Sequence, residues 1–269
     1  MATDASTAGM ISIAGRTVPR MGFGAMRLVG PDRGEPIDRA ATLAVLRRAV
    51  ELGVRVIDTA WYYGDNVVNR LIAEALRPYP ADLVLATKLG ARLAGGGLAY
   101  AYGPGELREA NDRDRTVLGV DTVALTHLRW GGADDTYGGV TFDDAFDTML
   151  AMRAEGRIGH IGLSNVTLDQ LRRAHARGPI ASVSNMFSYA NQADTPTLEY
   201  CAERGIHYLP YGPLGYGTAG DPPAPRGFTP SQAQLAWLLA RSPVTVVIAG
   251  TSSVKHLEEN IAAGAVSDA

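Results

Sequence analysis

The chain has 269 residues, of which 46% are hydrophobic and 20% are charged. Lys and Arg number 25 against 28 for Asp and Glu, without long runs of one sign, and this balance excludes the basic surface that nucleic-acid-binding proteins need. The longest apolar stretches, such as 244–249, are far shorter than the roughly 20 residues of a membrane-spanning helix.

The start of the chain, MATDASTAGM, lacks the basic and apolar regions of a signal peptide, and the single cysteine, Cys201, has no partner for an internal disulfide. We therefore expect a cytoplasmic protein that binds neither nucleic acid nor a membrane. The length is compatible with one large domain over residues 1–269, of which residues 1–10 are expected to be disordered. The pattern does not address the oligomeric state.

Short apolar runs recur along the chain, and each is followed by a segment with helical periodicity, which is typical of repeated β–α units. A β-hairpin is predicted before the first unit, because residues 11–13 and 17–19 alternate around a turn that contains glycine. Eight further strands are predicted at residues 22–26, 54–58, 83–88, 122–127, 160–164, 181–185, 207–211 and 245–249.

Capping residues mark several helix boundaries. Asp38 precedes an apolar stripe and Gly53 follows it, as expected for an N-cap and a C-cap. Thr167 and Thr229 each lie three residues before a glutamine, which is the spacing of a capping box. In this motif the threonine hydroxyl accepts a hydrogen bond from the backbone N–H of the glutamine, and the glutamine side chain accepts one from the backbone N–H of the threonine. Other helices are predicted at residues 67–76, 106–118, 142–155, 196–204 and from 254 onwards.

Eight β–α units predict a closed α/β barrel, the (β/α)8 or TIM-barrel fold, with a short N-terminal β-hairpin. An open doubly wound sheet also alternates strands and helices, but its dinucleotide fingerprint is G-x-G-x-x-G, and the early GFGAMRLVG does not have that spacing. Segments 91–105 and 212–227 have neither helical nor strand periodicity. Both follow strands, so we predict them as loops on the side where such barrels hold their active sites.

Polar residues end three of the predicted apolar strands: Asp58 ends the second, Lys88 the third and His127 the fourth, and Tyr63 follows Asp58 by five residues. Each has a structural explanation when taken singly, as a strand-end ion pair or a core histidine. In a barrel, however, these side chains meet at one end. A nearby ammonium favours a phenolate and lowers the pKa of the phenol, and an imidazole can orient a carbonyl oxygen. Together they predict proton transfer to or from an oxygen atom.

This arrangement resembles the aldo-keto reductase family. The segments GFGAMRL, VIDTAWYYG, LVLATK, VALTH, IGLSN, PYGPLG and VVIAGTSSVKHLEEN occur in the family's order along nearly the whole chain. The resemblance implies that Tyr63 is the general acid, that Asp58 and Lys88 tune it, and that His127 orients the carbonyl group. It also implies reduction of an aldehyde or ketone to an alcohol by hydride from a bound nicotinamide cofactor, NADPH, with NADH as the alternative.

The resemblance also assigns residues to the cofactor, with Ser164 and Asn165 at the carboxamide and Tyr211 stacked on the nicotinamide ring. Three positions depart from the family pattern, since Ser184 replaces a glutamine, and Gly250 and His256 replace a lysine and an arginine. The complete set is Gly24, Ala25, Met26, Asp58, Ser164, Asn165, Ser184, Tyr211, Gly212, Pro213, Leu214, Gly250, Thr251, Ser252, His256, Glu259 and Asn260.

Three aromatic residues, Trp61, Tyr62 and Trp130, follow barrel strands and either line an apolar substrate pocket or anchor the loops. Tyr62 competes with Tyr63 for the acid role, but the spacing from Asp58 in the family pattern favours Tyr63. No His or Cys spacing predicts a metal site. The partner is then a small-molecule carbonyl compound, which the sequence does not name.

Two other functions share the predicted fold and cofactor. The same acid–base residues can catalyse an isomerisation, dehydration or cyclisation in a biosynthetic pathway, which gives product without a change in cofactor absorbance. Alternatively, the chain is a cofactor-sensing subunit that binds NADPH without turnover.

Overall fold

The structure is a computed structural model and describes residues 4–30, 34–95, 97–215, 222–224 and 226–268. Its strands are β1 (Met10–Ile13), β2 (Arg16–Pro19), β3 (Phe23–Gly24), β4 (Val56–Asp58), β5 (Val84–Leu89), β6 (Ala91–Ala94), β7 (Gly97–Tyr100), β8 (Val123–Arg129), β9 (Thr136–Tyr137), β10 (Val140–Thr141), β11 (Ile158–Ser164), β12 (Ser182–Ser184) and β13 (His207–Tyr208). Its α-helices are α1 (Arg39–Glu51), α2 (Val67–Leu76), α3 (Pro104–Leu118), α4 (Phe142–Ala154), α5 (Leu168–Arg177), α6 (Thr195–Arg204), α7 (Pro230–Arg241) and α8 (Val254–Ala262).

Seven parallel strands form the central sheet, in the order β3, β4, β5, β8, β11, β12, β13. Segment 245–249 closes it into a ring, because Thr245 bridges to Tyr208 on one side and Val247 bridges to Met21 on the other. The predicted (β/α)8 barrel is confirmed. Its eighth strand is held by isolated bridges rather than by a continuous ladder.

The barrel interior is apolar at its amino-terminal end and polar at the other. Inward-facing strand residues and two residues of the β1–β2 hairpin, Ile13 and Val18, form one buried cluster, so the predicted hairpin plugs this end. Successive strand residues point to opposite faces of the sheet. The residue two positions after each cluster residue therefore also faces inward, but it lies nearer the carboxyl end of its strand. We call that end the mouth. The cluster contains Val56, Val84, Ala86, Leu125, Leu209, Val246 and Ile248 from the strands.

The helix caps follow the sequence. The Asp38 side chain accepts a hydrogen bond from the backbone N–H of Ala41, and Gly53, just past the end of α1, has a φ of 84°. Thr167 and Thr229 form the predicted capping boxes at the starts of α5 and α7. Helix α3 begins at Pro104, two residues before the predicted start.

Two predicted irregular segments are corrected by the structure. Residues Ala5–Ala8 form a 3-10 helix whose first N–H bonds the carbonyl of Leu52, so the chain from Asp4 onward packs on the barrel and is not disordered as expected for residues 1–10. Segment 91–105 contains the β6–β7 hairpin instead of a loop. The ring of Tyr102 packs 4.2 Å from that of Trp130 and fixes this hairpin on the loop after β8.

The predicted loop 212–227 lies partly outside the described residues, since 216–221 and 225 are not among them. The cofactor positions Gly212, Pro213 and Leu214 are described. Within the part of the chain that the structure describes, no helix is long and apolar enough to cross a membrane.

Candidate active site

A buried ion pair lies at the mouth of the barrel. Lys88 Nζ donates to both carboxylate oxygens of Asp58, at 2.6 and 2.5 Å, and to the carbonyl oxygen of Thr59 at 3.2 Å. It also lies 3.1 Å from Tyr63 Oη. Burial raises the pKa of Asp58, and the charge of Lys88 opposes that shift. The pair therefore places a positive charge directly beside a phenolic oxygen.

Tyr63 reaches Lys88 because the chain turns sharply after β4. Asp65 and Asn66 both adopt left-handed φ values, 48° and 68°, and the N–H of Asn66 returns to the carbonyl of Trp61 at 2.6 Å. Asn is one of the few residues that tolerates this conformation. Tyr63 is only partly buried and lines an open cavity, whereas the neighbouring Tyr62 is buried and its burial raises the pKa of the phenol.

A chain of buried polar groups supports this turn from outside the barrel. Thr59 Oγ1 donates to Asn69 Oδ1 at 2.8 Å, and Asn69 Nδ2 donates to Asp114 Oδ1 at 2.7 Å. Asp114, on α3, is fully buried, and burial raises its pKa to about 7. This network was not predicted from the sequence, because its only signal there is a polar residue, Asp114, on a helix face that is buried in the structure.

His127 lies deeper than the pattern implied. It is fully buried, its Nε2 lies 2.9 Å from Ser182 Oγ, and its ring occupies the space that a side chain at Gly162 would fill. Burial, together with the nearby positive charge of Lys88, lowers its pKa to about 3. The imidazole is therefore neutral at neutral pH and bonded within the interior. The Nδ1 atom of this imidazole has no hydrogen-bond partner among the described residues, and the role of His127 in orienting a substrate carbonyl stays a prediction.

Many of the predicted cofactor residues surround one cavity of about 100 Å³ next to Tyr63. A second cleft continues from it along Met26, Arg27, Thr251 and Ser252. The first cavity is lined by Gly24, Met26, Arg27, Asp58, Tyr63, Tyr211, Gly212, Pro213, Leu214, Gly215, Ile248 and Gly250. Ala25 lies between two of these residues but is itself fully buried.

Gly250 allows the two strands that close the barrel to approach each other. A Cβ atom at this position would lie 2.4 Å from the carbonyl oxygen of Gly24 and 3.4 Å from Cγ of Arg27. A lysine, the residue of the family pattern, has no room here. Arg27 instead places an exposed cation along both cavities. It was not among the predicted cofactor residues, although it belongs to the segment GFGAMRL.

Asn165 and Tyr211 form a rigid frame on the opposite side. Asn165 adopts a left-handed φ of 57°, its Nδ2 donates to the carbonyl of Trp130 at 2.9 Å, and its Oδ1 accepts from Tyr211 Oη at 3.1 Å. Ser164 is buried beside it. Ser184 is fully buried, and its Oγ has no hydrogen-bond partner among the described residues.

The predicted cofactor residues at and on the last helix differ in exposure and in the hydrogen bonds that they make within the protein. Thr251 Oγ1 accepts from the N–H of Ser253, whose side chain caps α8, and His256 is exposed. Glu259 accepts a hydrogen bond from Thr229 Oγ1 at 2.6 Å and thereby ties α8 to the cap of α7, while Asn260 is buried. Ser252 is exposed on the second cleft.

The three predicted substrate aromatics are loop anchors. Trp61 and Tyr62 are buried, the guanidinium of Arg113 lies over the Trp61 ring at 5.2 Å, and Trp130 Nε1 donates to the carbonyl of Asp134 at 2.7 Å. The aromatic surface near the mouth comes from Tyr100, which is 47% exposed, and Tyr137, whose ring centroids are 4.3 Å apart. No group of metal-ligating side chains occurs within the described ranges.

Comparison with known proteins identifies the family. The model of the Aldo/keto reductase family matches residues 20–221. The chain is 42% identical over 258 residues to pyridoxine 4-dehydrogenase of Escherichia coli, covering 92% of this chain and 90% of that protein. It is 39% identical to an uncharacterized oxidoreductase of Schizosaccharomyces pombe, covering 98% and 88%.

Solved structures share the fold. An aldo-keto reductase of Klebsiella pneumoniae, crystallised with NADPH, superposes with a TM-score of 0.78 at 23% identity, covering 95% of this chain and 89% of that one. A glycerol dehydrogenase of Gluconobacter oxydans gives 0.81 at 19% identity, covering 96% and 90%. The chain belongs to the aldo/keto reductase family of oxidoreductases.

Proposed function

We propose that this protein reduces an aldehyde to a primary alcohol with NADPH, and catalyses the reverse oxidation, with Tyr63 as the acid–base residue. The observation that carries the proposal is the contact between Tyr63 Oη and Lys88 Nζ, beside buried Asp58 and at the edge of an open cavity. A half-exposed phenol that touches a buried ammonium is suited to give and take a proton near neutral pH.

The cavities fit a nicotinamide dinucleotide. The ring of Tyr211, held by its hydrogen bond to Asn165, offers a flat aromatic surface, and Arg27 offers a cation for phosphate. Deeper in the barrel, Ser184 Oγ is buried without a hydrogen-bond partner among the described residues. The N-terminus of α8 adds backbone N–H groups next to Ser252. We assign the nicotinamide end to the first cavity and the adenosine end to the second. When bound, the cofactor supplies a hydride to the carbonyl carbon.

The residues of the chain supply the proton and hold the charge. Tyr63 Oη donates its proton to the carbonyl oxygen as the hydride arrives at carbon, so the carbonyl becomes an alcohol and the phenol becomes a phenolate. The ammonium of Lys88, 3.1 Å away, stabilises that phenolate, and Asp58 fixes the ammonium in place. A proton from water then restores Tyr63.

The relative from E. coli supports a specific substrate. This pyridoxine 4-dehydrogenase is 42% identical to this chain over 92% of the chain's length, so the similarity extends over most of the barrel. We therefore propose pyridoxal and pyridoxine as the aldehyde and alcohol of the reaction.

The substitution Tyr63→Phe tests the proposal. It removes one hydroxyl from a cavity wall, so we expect kcat for pyridoxal reduction to fall by about 10³-fold while the Kd for NADPH, measured by fluorescence, stays within threefold. Tyr62→Phe is the matched control, because it removes the hydroxyl of the adjacent buried tyrosine, and it should retain turnover. Equal activity of the two variants would refute Tyr63 as the acid.

A further inference from the structure

Arg129 is a cation at the mouth that the preceding assignments leave without a role. It is the last residue of β8 and shares its inward face with Leu125, which belongs to the interior cluster, and with His127, the register partner of Lys88. Arg129 itself pairs in register with Ser164. It therefore lies about 7 Å nearer the mouth than His127, at the level of a predicted cofactor residue.

The positive charge of Arg129 affects two buried tyrosines, Tyr62 and Tyr102. It opposes the upward pKa shift that burial imposes on Tyr62, as Lys88 also does, and it acts in the same way on the pKa of Tyr102. The charge of the guanidinium therefore reaches both buried phenols, Tyr62 after β4 and Tyr102 after the β6–β7 hairpin. The hairpin packs closely here, since a Cβ atom at Gly90 would lie 2.6 Å from the Arg129 carbonyl oxygen.

Arg129 has no carboxylate partner and makes no side-chain hydrogen bond among the described residues, and it is only half-buried. Other arginines of this barrel, such as Arg173 and Arg177, are paired with aspartates. An unpaired cation at the edge of a site favours a ligand that brings negative charge or electron-rich oxygen atoms. His127 lies one inward layer deeper, where its Nε2 is 2.9 Å from Ser182 Oγ.

We propose that the Arg129 guanidinium holds the carbonyl oxygen of the substrate together with an acidic oxygen next to it. Its planar set of N–H donors matches two adjacent oxygen atoms, which a single ammonium or imidazole does not. The exposed ring of Tyr100, with Tyr137, provides a wall for an aromatic ring. The substrate class is therefore aromatic aldehydes with a hydroxyl group ortho to the aldehyde. This inference rests on the proposed function, and pyridoxal, whose aldehyde neighbours a ring hydroxyl, belongs to the class.

The test compares salicylaldehyde, 3-hydroxybenzaldehyde and benzaldehyde in the wild-type protein and in Arg129→Leu and Arg129→Lys, with product alcohol measured by chromatography. We expect the wild type to prefer salicylaldehyde over its 3-hydroxy isomer by at least tenfold in kcat/KM. Arg129→Leu should lower kcat/KM for salicylaldehyde by about 100-fold and for benzaldehyde by about tenfold. Arg129→Lys should keep most of the activity with benzaldehyde but lose the preference for the ortho-hydroxyl substrate. The reason is that a single ammonium replaces the planar set of N–H donors of the guanidinium.

Arg92→Leu is the control, because it removes an exposed arginine of the neighbouring hairpin, and it should leave all three rates unchanged. The Kd for NADPH verifies that each variant is folded. An ortho preference in Arg129→Leu or Arg129→Lys equal to that of the wild type overturns the inference, as does a wild type without such a preference. Absence of turnover with every aldehyde in the wild type refutes the proposed function itself, which is a distinguishable result.

Discussion

Removal of the Lys88 ammonium tests the electrostatic part of the mechanism. In Lys88→Met, the positive charge 3.1 Å from Tyr63 Oη is lost with little change in side-chain length. At that distance, and with an effective dielectric constant near 20, the attraction between ammonium and phenolate is about 5.4 kcal/mol. Asp58 cancels part of it, because its carboxylate lies 2.5 Å from Nζ. If half remains, about 2.7 kcal/mol of transition-state stabilisation is lost, which corresponds to a 100-fold lower kcat.

Stability must be separated from activity in this variant. Lys88→Met leaves the buried carboxylate of Asp58 without its partner, which costs about 3–5 kcal/mol of unfolding free energy. The double variant Asp58→Asn/Lys88→Met contains no buried charge at this point and should recover most of that stability in urea unfolding. Its kcat with pyridoxal should stay at least 100-fold below that of the wild type. A folded double variant with kcat within threefold of the wild type would refute the role given to the ammonium.

Two further predictions concern residues around the site. Burial raises the pKa of Asp114 from an ordinary value of 3.8 to about 7, so ionisation of this carboxyl group destabilises the folded state. The free energy of unfolding should therefore decline as the pH rises from about 4 to 7, by up to about 1.4 kcal/mol per pH unit. Asp114→Asn should abolish that decline when urea unfolding is measured across the same pH range. Arg27→Leu removes the exposed cation that lines both cavities. The Kd for NADPH in a fluorescence titration should rise by about 10- to 100-fold, while kcat at saturating cofactor should stay unchanged. An unaltered Kd would show that this arginine does not contact a phosphate.

Periodicity in the sequence was sufficient for the barrel but not for depth within it. Lys88 and His127 were predicted at the ends of neighbouring strands, and the structure pairs the two residues in register. The period of two residues puts His127 and Arg129 on the same face of β8, but it does not say how deep in the barrel either residue lies. That depth depends on how the strands are staggered around the ring, which is a property of the whole barrel.

Tertiary packing decided the other differences. Segment 91–105 reads as a loop because its glycines and alanines carry little periodicity, yet Tyr102 packs on Trp130 and holds residues 91–100 as a hairpin. Trp61 and Trp130 were candidates for a substrate pocket because they follow strands, but nothing in the sequence told which way their rings turn. The single-domain assignment and the cytoplasmic location stay predictions.

The most direct test of the account is the fate of the hydride. Purified wild-type protein should convert pyridoxal to pyridoxine with one NADPH oxidised per alcohol formed, and NADPH carrying deuterium at C4 should deliver the label to the new carbinol carbon. Conversion of substrate without oxidation of NADPH, or binding of NADPH without turnover of pyridoxal or any other aldehyde, would contradict the reductase mechanism.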